Sequence, residues 1–285
     1  TYVAYQEGIY NGYRYTETRY EDYVNKVDNV GEFDYAATVA YPFGYGLSYT
    51  QFDTKLDNVE RFINKDNSVS YNLTVTVRNI GTAAAKHVVQ VYLQKPYTQY
   101  DKENGIEKAA VELVAYGKTR TLKGGESDVL TLTVSERMFA SYDANNAKTY
   151  VIGSSSASDL YYLTVADGAH QAANNILAAK GVTKATNSRM DSDGNSAAVW
   201  STHIEFNNTK YATNDTIKTA NANFKARYDG EIANYGVDKI TNQFDNVDYR
   251  LYEGFSEGER AQVYTTRLDW EGTTAKTVSL TATEQ

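Results

Sequence analysis

The sequence predicts a mainly β fold, a two-sheet sandwich with irregular segments on either side and one short helix. Between residues 49 and 165 apolar and polar side chains alternate with period two, turn residues cut that alternation into short runs, and no helical pattern falls between the runs. A strand that hides one row of side chains and wets the other needs a second sheet facing it, and a sandwich supplies one.

The clearest run is Val69, Tyr71, Leu73, Val75 and Val77, set against Ser70, Asn72, Thr74, Thr76 and Arg78. Asn79-Ile80-Gly81-Thr82 ends it with turn residues. Val89, Val91 and Leu93 then alternate with Gln90, Tyr92 and Gln94. Val111, Leu113 and Ala115 form a third run, blurred by Val114 and Tyr116 on the opposite face. After the turn Lys123-Gly124-Gly125-Glu126, the residues Leu130, Leu132 and Val134 face away from Thr131, Thr133 and Ser135. Residues 149–152 and 160–165 close the series. Each buried Val or Leu in such rows contributes about 1.5 to 3 kcal/mol, so a few rows offset the cost of ordering the domain.

The flanks have a different character. Residues 1–48 carry Gly8, Gly12, Gly31 and a dense set of Tyr, then Tyr41-Pro42-Phe43-Gly44-Tyr45-Gly46-Leu47-Ser48-Tyr49 follows. Pro42 biases Tyr41 toward extended backbone, and Gly44 and Gly46 allow a tight turn or a close approach. The one helix is expected at residues 167–181. Asp167 is its N-cap, Ala169, Ala172, Ala173, Ile176 and Leu177 form a narrow apolar stripe, and Gly181 ends it. Residues 167–240 then read as that helix plus an extended Asn- and Thr-rich arm, with a strand-like stretch at 199–206. Residues 241–285 regain aromatics and read as a connector.

The chain has 285 residues, 41% apolar and 22% charged, which describes a folded chain with a real core. Tyr is the favoured aromatic, with 26 Tyr against 9 Phe and 2 Trp, and its ring with a hydroxyl suits sheet faces and wet interfaces. A net charge of -8 argues against nucleic acid or an anionic membrane as partner. With no Cys there is no disulfide, thiolate nucleophile or Cys metal site, and extracellular and cytoplasmic settings both stay open. No run approaches the roughly eighteen apolar residues of a spanning helix. Both ends read as cuts through something longer.

The chemistry-bearing residues are sparse. His87, His170 and His203 lie in different elements without the spacing of a zinc site and are expected to be structural or exposed. There is no GxSxG elbow, and neither Gly44-Tyr45-Gly46 nor Gly124-Gly125 continues into a phosphate loop, so no cofactor is expected. The 36 Asp and Glu residues include no self-evident pair, although a glycosidase needs two carboxylates about 5 to 9 Å apart across one bond. Asp101, Glu103 and Glu107 read as a solvated acidic loop. Arg267, Asp269 and Trp270, in Thr266-Arg267-Leu268-Asp269-Trp270-Glu271-Gly272, are the candidate contact residues, either stacking on a sugar or pinning the chain to a domain surface. Asn72, Asn207 and Asn214 stand in glycosylation-type sequences that carry little weight.

Two segments together, Glu7-Gly8-Ile9-Tyr10-Asn11-Gly12-Tyr13-Arg14-Tyr15 and the stretch from Tyr41 to Thr50, resemble glycoside hydrolase family 3, whose typical member is a β-glucosidase. In that family such segments close an α/β sandwich domain, and a fibronectin type III-like domain, itself an immunoglobulin-like β-sandwich, follows. Its VxNxGxxAGxxVVQxY stretch is matched here by the residues from Val77 to Tyr92, and Lys123-Gly124-Gly125-Glu126-Ser127 and Ser141-Tyr142-Asp143 match two later landmarks. The resemblance implies four parts: residues 1–48 as the end of an α/β sandwich domain, 49–166 as the fibronectin type III-like β-sandwich, 167–240 as helix and arm, and 241–285 as a connector toward a (β/α)8 barrel placed after these domains.

The same resemblance implies a retaining β-glycosidase parent whose nucleophile lies in the barrel, in a stretch like GxVxSDW, and whose acid/base is a Glu upstream of Glu7. This chain contains neither stretch, and Arg267-Leu268 stand before Asp269-Trp270 where the family has Val-Ser. The implied role is a non-catalytic structural segment, with the sandwich and barrel domains of the same polypeptide as partners and an oligo- or disaccharide as the parent's substrate. A carbohydrate-binding or surface-adhesion module is the competing reading.

Overall fold

The computed structural model describes residues 8–143, 145–147, 149–211 and 265–270. Glu7, Asn214, the end of the 167–240 arm and most of the 241–285 connector lie outside the described residues. In chain order the elements are α1 (Tyr13–Val24), α2 (Tyr35–Thr38), β1 (Phe52–Ile63), β2 (Val69–Asn79), β3 (Val88–Gln94), α3 (Gln99–Asn104), β4 (Glu112–Lys118), β5 (Ser127–Ser135), β6 (Ser141–Asp143), β7 (Thr149–Val151), β8 (Tyr161–Ala166), α4 (Ala169–Ala179) and β9 (Val199–Thr202).

One sheet has the order β1-β2-β5 and the other β4-β3-β8-β9, each paired antiparallel throughout, with β6 and β7 forming a small hairpin. The fold is mainly β, a fibronectin type III-like sandwich. Its core forms where the two inner faces meet: Tyr71, Leu73, Val75 and Val77 from β2, Leu132 and Val134 from β5, Val89, Val91 and Leu93 from β3, and Leu163 and Val165 from β8. These are the rows that period-two patterning picks out.

β1 is not among those rows, and the structure shows why. Its core-facing residues are Phe52, Leu56 and Val59, and a bulge between Leu56 and Asn58 shifts the register between the second and third. One extra residue flips the parity of the alternation, so the strand reads as irregular.

Asn79 organises the turn after β2. Its buried side chain donates to the carbonyls of Ala83 and Leu122, both at 2.8 Å, and accepts from the Thr50 hydroxyl at 2.6 Å and the Gly81 N–H at 3.1 Å. Gly81 is required there because a Cβ would sit 2.3 Å from the Thr50 hydroxyl.

α4 lies on the outer face of the second sheet, where Ala169, Ala172, Ala173 and Ile176 meet Tyr92, Val111 and Ala166. The small side chains permit the close approach that the alanine stripe implies. Its N-cap is Gly168 rather than Asp167, whose carboxylate pairs instead with His87 at 3.1 Å. α1 packs beside α4 through Tyr20, Val24, Phe33, Tyr35, Leu177 and Met190. Beyond α4 the chain rejoins the sandwich, because β9 pairs with β8 and bridges join Ile152 to Asn207 and Ser154 to Glu205.

Candidate functional site

Three features on the helical side of the sandwich concentrate the polar chemistry: an acidic face of α1, an imidazole centre at the start of α4, and an open cleft beside it.

The face that α1 buries carries Glu17, Thr18, Glu21 and Asp22 as well as Tyr20 and Val24. Onto it folds the short segment 266–270. The Arg267 guanidinium donates from Nε to both Asp22 oxygens at 3.1 and 3.0 Å, from Nη2 to Asp22 and to Glu21 at 3.0 Å, and from Nη1 to the Lys108 carbonyl at 3.2 Å. Trp270 is buried, its indole N–H donates to Asp22 at 2.9 Å, and its ring meets Tyr10 and Tyr15 with centroids about 6 Å apart. Asp269 is exposed at the turn that bridges back to Thr266.

Burial alone would raise the Glu21 carboxyl, yet Lys180 and Arg267 outweigh it and hold the group at about 2. For Asp22 burial prevails and the carboxyl lies above its ordinary range despite Arg267. Both Asp22 oxygens are occupied and the side chain is closed to solvent, so it cannot meet a substrate. Arg267 and Trp270 therefore face their own chain rather than solvent.

The solvated acidic loop expected at Asp101, Glu103 and Glu107 is corrected for Asp101 and Glu107, while Glu103 is exposed. Asp101 is buried, completes a capping box with Thr98 and pairs with Lys108 at 3.1 Å. Glu107 accepts from the Tyr10 hydroxyl at 2.6 Å, the Tyr97 hydroxyl at 3.3 Å, the Thr266 hydroxyl and the Arg267 N–H at 3.1 Å. Local sequence shows only an acidic run, whereas the partners arrive from both ends of the chain.

His170 is the second centre. Nδ1 lies 2.8 Å from Glu17 and Nε2 2.7 Å from Asp191, and the ring stacks on Tyr35 with centroids 3.7 Å apart. The Tyr35 hydroxyl donates to Glu17, and the Tyr20 hydroxyl bonds Asn174 and Asp191, each at 2.9 Å. Burial would lower the imidazole, but the hydrogen bonds and charges of Asp191 and Glu17 raise it to about 9. At neutral pH it is an imidazolium with both N–H groups donating. It ties three segments together and has no free nitrogen to accept a proton.

The cleft of about 420 Å³ lies alongside, lined by Pro42, Gly44, Tyr45 and Gly46 on one side, by Asp167 and Gln171 from the start of α4, and by Ser192 and Asp193 opposite. The Gly44 and Gly46 loop is clamped in place. The Ala169 N–H donates to the Phe43 carbonyl at 2.9 Å, and a Cβ at Gly44, whose φ is +94°, would lie 2.7 Å from the Asp167 carbonyl oxygen. Tyr41, Tyr45, Leu47 and Tyr49 all project into solvent from this loop, with Leu47 and Tyr49 91% and 98% exposed. Among the described residues, no group of three or more His, Cys, Asp and Glu side chains is placed to hold a metal ion.

Comparison with known proteins finds the following similarities. The family profile described as a fibronectin type III-like domain matches residues 87–155. A β-glucosidase of Ruminococcus albus is 40% identical over 139 residues, covering 49% of this chain and 12% of that protein. β-Glucosidase A of Butyrivibrio fibrisolvens is 37% identical over 152 residues, covering 50% of this chain and 16% of that protein. A solved β-glucosidase of Paenibacillus barengoltzii shares 34% identity over 57% of this chain and 15% of its own, with a TM-score of 0.45. The chain thus spans less than a fifth of the length of these relatives.

Proposed function

We propose that this chain, which carries the fibronectin type III-like region of glycoside hydrolase family 3, serves as a non-catalytic support within a β-glycoside-hydrolysing polypeptide. Such a polypeptide acts on β-glucosides or related β-glycosides with retention. A carboxylate attacks the anomeric carbon, a carboxylic acid protonates the leaving oxygen, and water hydrolyses the covalent intermediate. Those two groups belong to a barrel and to a sandwich loop outside this chain.

The observation that carries the reading is the contrast within the unit. Its polar side chains near the helices are tied to one another, while the 41–49 loop presents Tyr41, Tyr45, Leu47 and Tyr49 to solvent on a clamped backbone. Ordered apolar side chains displayed in this way suit a surface that another domain covers. A mixed polar and aromatic face of this kind matches an interface between domains of one chain better than a catalytic cleft.

The test is turnover. The purified chain is expected to release no p-nitrophenol from aryl β-glucosides under conditions in which an intact family 3 β-glucosidase does. Release at enzyme-like rates overturns the proposal.

A further inference from the structure

We infer that the cleft between the 42–46 loop, the first turn of α4 and residues 192–193 binds a neutral saccharide unit. Its volume of about 420 Å³ falls within the range of small-ligand sites. The walls are preformed. Gly44 and Gly168 lock the loop against α4, since a Cβ at Gly168 would lie 2.7 Å from the Phe43 carbonyl oxygen. The opposite wall is as close, because a Cβ on Gly194 would meet the Asn174 carbonyl oxygen at 1.9 Å.

The chemistry of the lining is that of a hydroxyl-rich ring. Tyr45, 56% exposed, lines the cleft and offers its ring to the C–H face of a sugar, and Tyr41 stands beside it at a centroid distance of 5.1 Å with the two ring planes 36° apart. Gln171 accepts the Asp167 N–H through Oε1 at 2.7 Å, which orients its amide to donate from Nε2. Asp193 uses Oδ1 to accept the Lys184 N–H at 2.8 Å and, among the described residues, keeps Oδ2 to accept from a hydroxyl.

Charge disfavours anionic ligands. The lining carries the carboxylates of Asp167 and Asp193, and the one imidazolium of His170 is shared between Asp191 and Glu17, so phosphate and carboxylate ligands are repelled. This inference rests on the support reading only in that the covering domain must rest on Leu47 and Tyr49, which do not line the cleft, and leave the cleft side of Tyr45 open.

The experiment is a titration of the chain with D-glucose, cellobiose and, separately, tetramethylammonium chloride, followed by amide chemical shifts. Cellobiose is expected to give saturable shifts that include Gln171 and Asp193. Y45A is expected to bind about tenfold more weakly, and Q171A more weakly than the parent chain, while V129A on the far sheet binds as the parent does. Tyr45 and Gln171 are exposed, so circular dichroism of the variants is expected to match the parent. Three results each overturn the inference: no saturable shift with either sugar, undiminished binding by Y45A, or saturation by tetramethylammonium with the sugars silent. Failure here leaves the absence of aryl-glucoside turnover untouched, and turnover by the chain leaves the titration untouched.

Discussion

Replacing His170 with Gln removes the one cation between Glu17 and Asp191 while keeping a hydrogen-bonding side chain of similar size. In the folded chain the imidazole is raised from its ordinary 6.5 to about 9, and its side chain is only 14% exposed, so solvent screening is slight. At roughly 1.4 kcal/mol for each tenfold change in proton affinity, that rise corresponds to about 3 kcal/mol of stability. Because the folded value lies above the unfolded one, the contribution is complete below pH 6.5 and is lost as pH climbs through 9. Urea unfolding should therefore place H170Q about 3 kcal/mol below the parent at pH 6, with the gap narrowing by pH 9.5. The ring proton resonances of His170 should titrate near 9 in the parent. A ring that titrates near 6.5, or a stability gap of equal size at both pH values, refutes the reasoning.

Three further outcomes follow from the same contacts. R267M strands the closed carboxylate of Asp22 without its guanidinium, and should cost about 3 to 5 kcal/mol at neutral pH. The loss should be smaller below the ordinary carboxylate value of 3.8, where Asp22 is protonated in both states, and urea midpoints at about pH 3 and 7.5 check this. N79A leaves the Ala83 and Leu122 carbonyls without their donor inside the turn after β2, and should cost roughly 3 kcal/mol in thermal or urea unfolding. L47D removes an exposed apolar side chain from the 41–49 loop, and sedimentation velocity should show less concentration-dependent association of the isolated chain, with unchanged circular dichroism.

How much of this was legible depended on where each contact's partners lie in the chain. β2 and β5 announced themselves because their apolar rows alternate, as Tyr71, Leu73, Val75 and Val77 do, and β3 showed the same apolar row although Tyr92 on its other face is buried as well. α4 was legible through its alanine stripe. α1 was not, since the face it buries consists largely of Glu17, Thr18, Glu21 and Asp22, and hydrophobic periodicity cannot mark a helix whose inner side is charged.

The same cause hid the polar centres. The partners of His170 are Glu17, 153 residues away, and Asp191, so nothing near residue 170 signals that its imidazole bridges two carboxylates. Glu107 read as solvated because Tyr10 and Thr266, which occupy it, are about as remote. The turn glycines were legible as punctuation, and the structure adds the reason: a Cβ at Gly81 would meet the Thr50 hydroxyl, and one at Gly124 would meet the Gly81 carbonyl oxygen.

The central claim is that this chain holds no glycosidic nucleophile, and trapping the covalent intermediate tests it most directly. Incubating the chain with a 2-deoxy-2-fluoro β-glucoside carrying an activated leaving group, followed by intact mass spectrometry, should leave the mass unchanged. A stoichiometric fluoroglucosyl adduct mapped to an Asp or Glu of this chain would contradict the account.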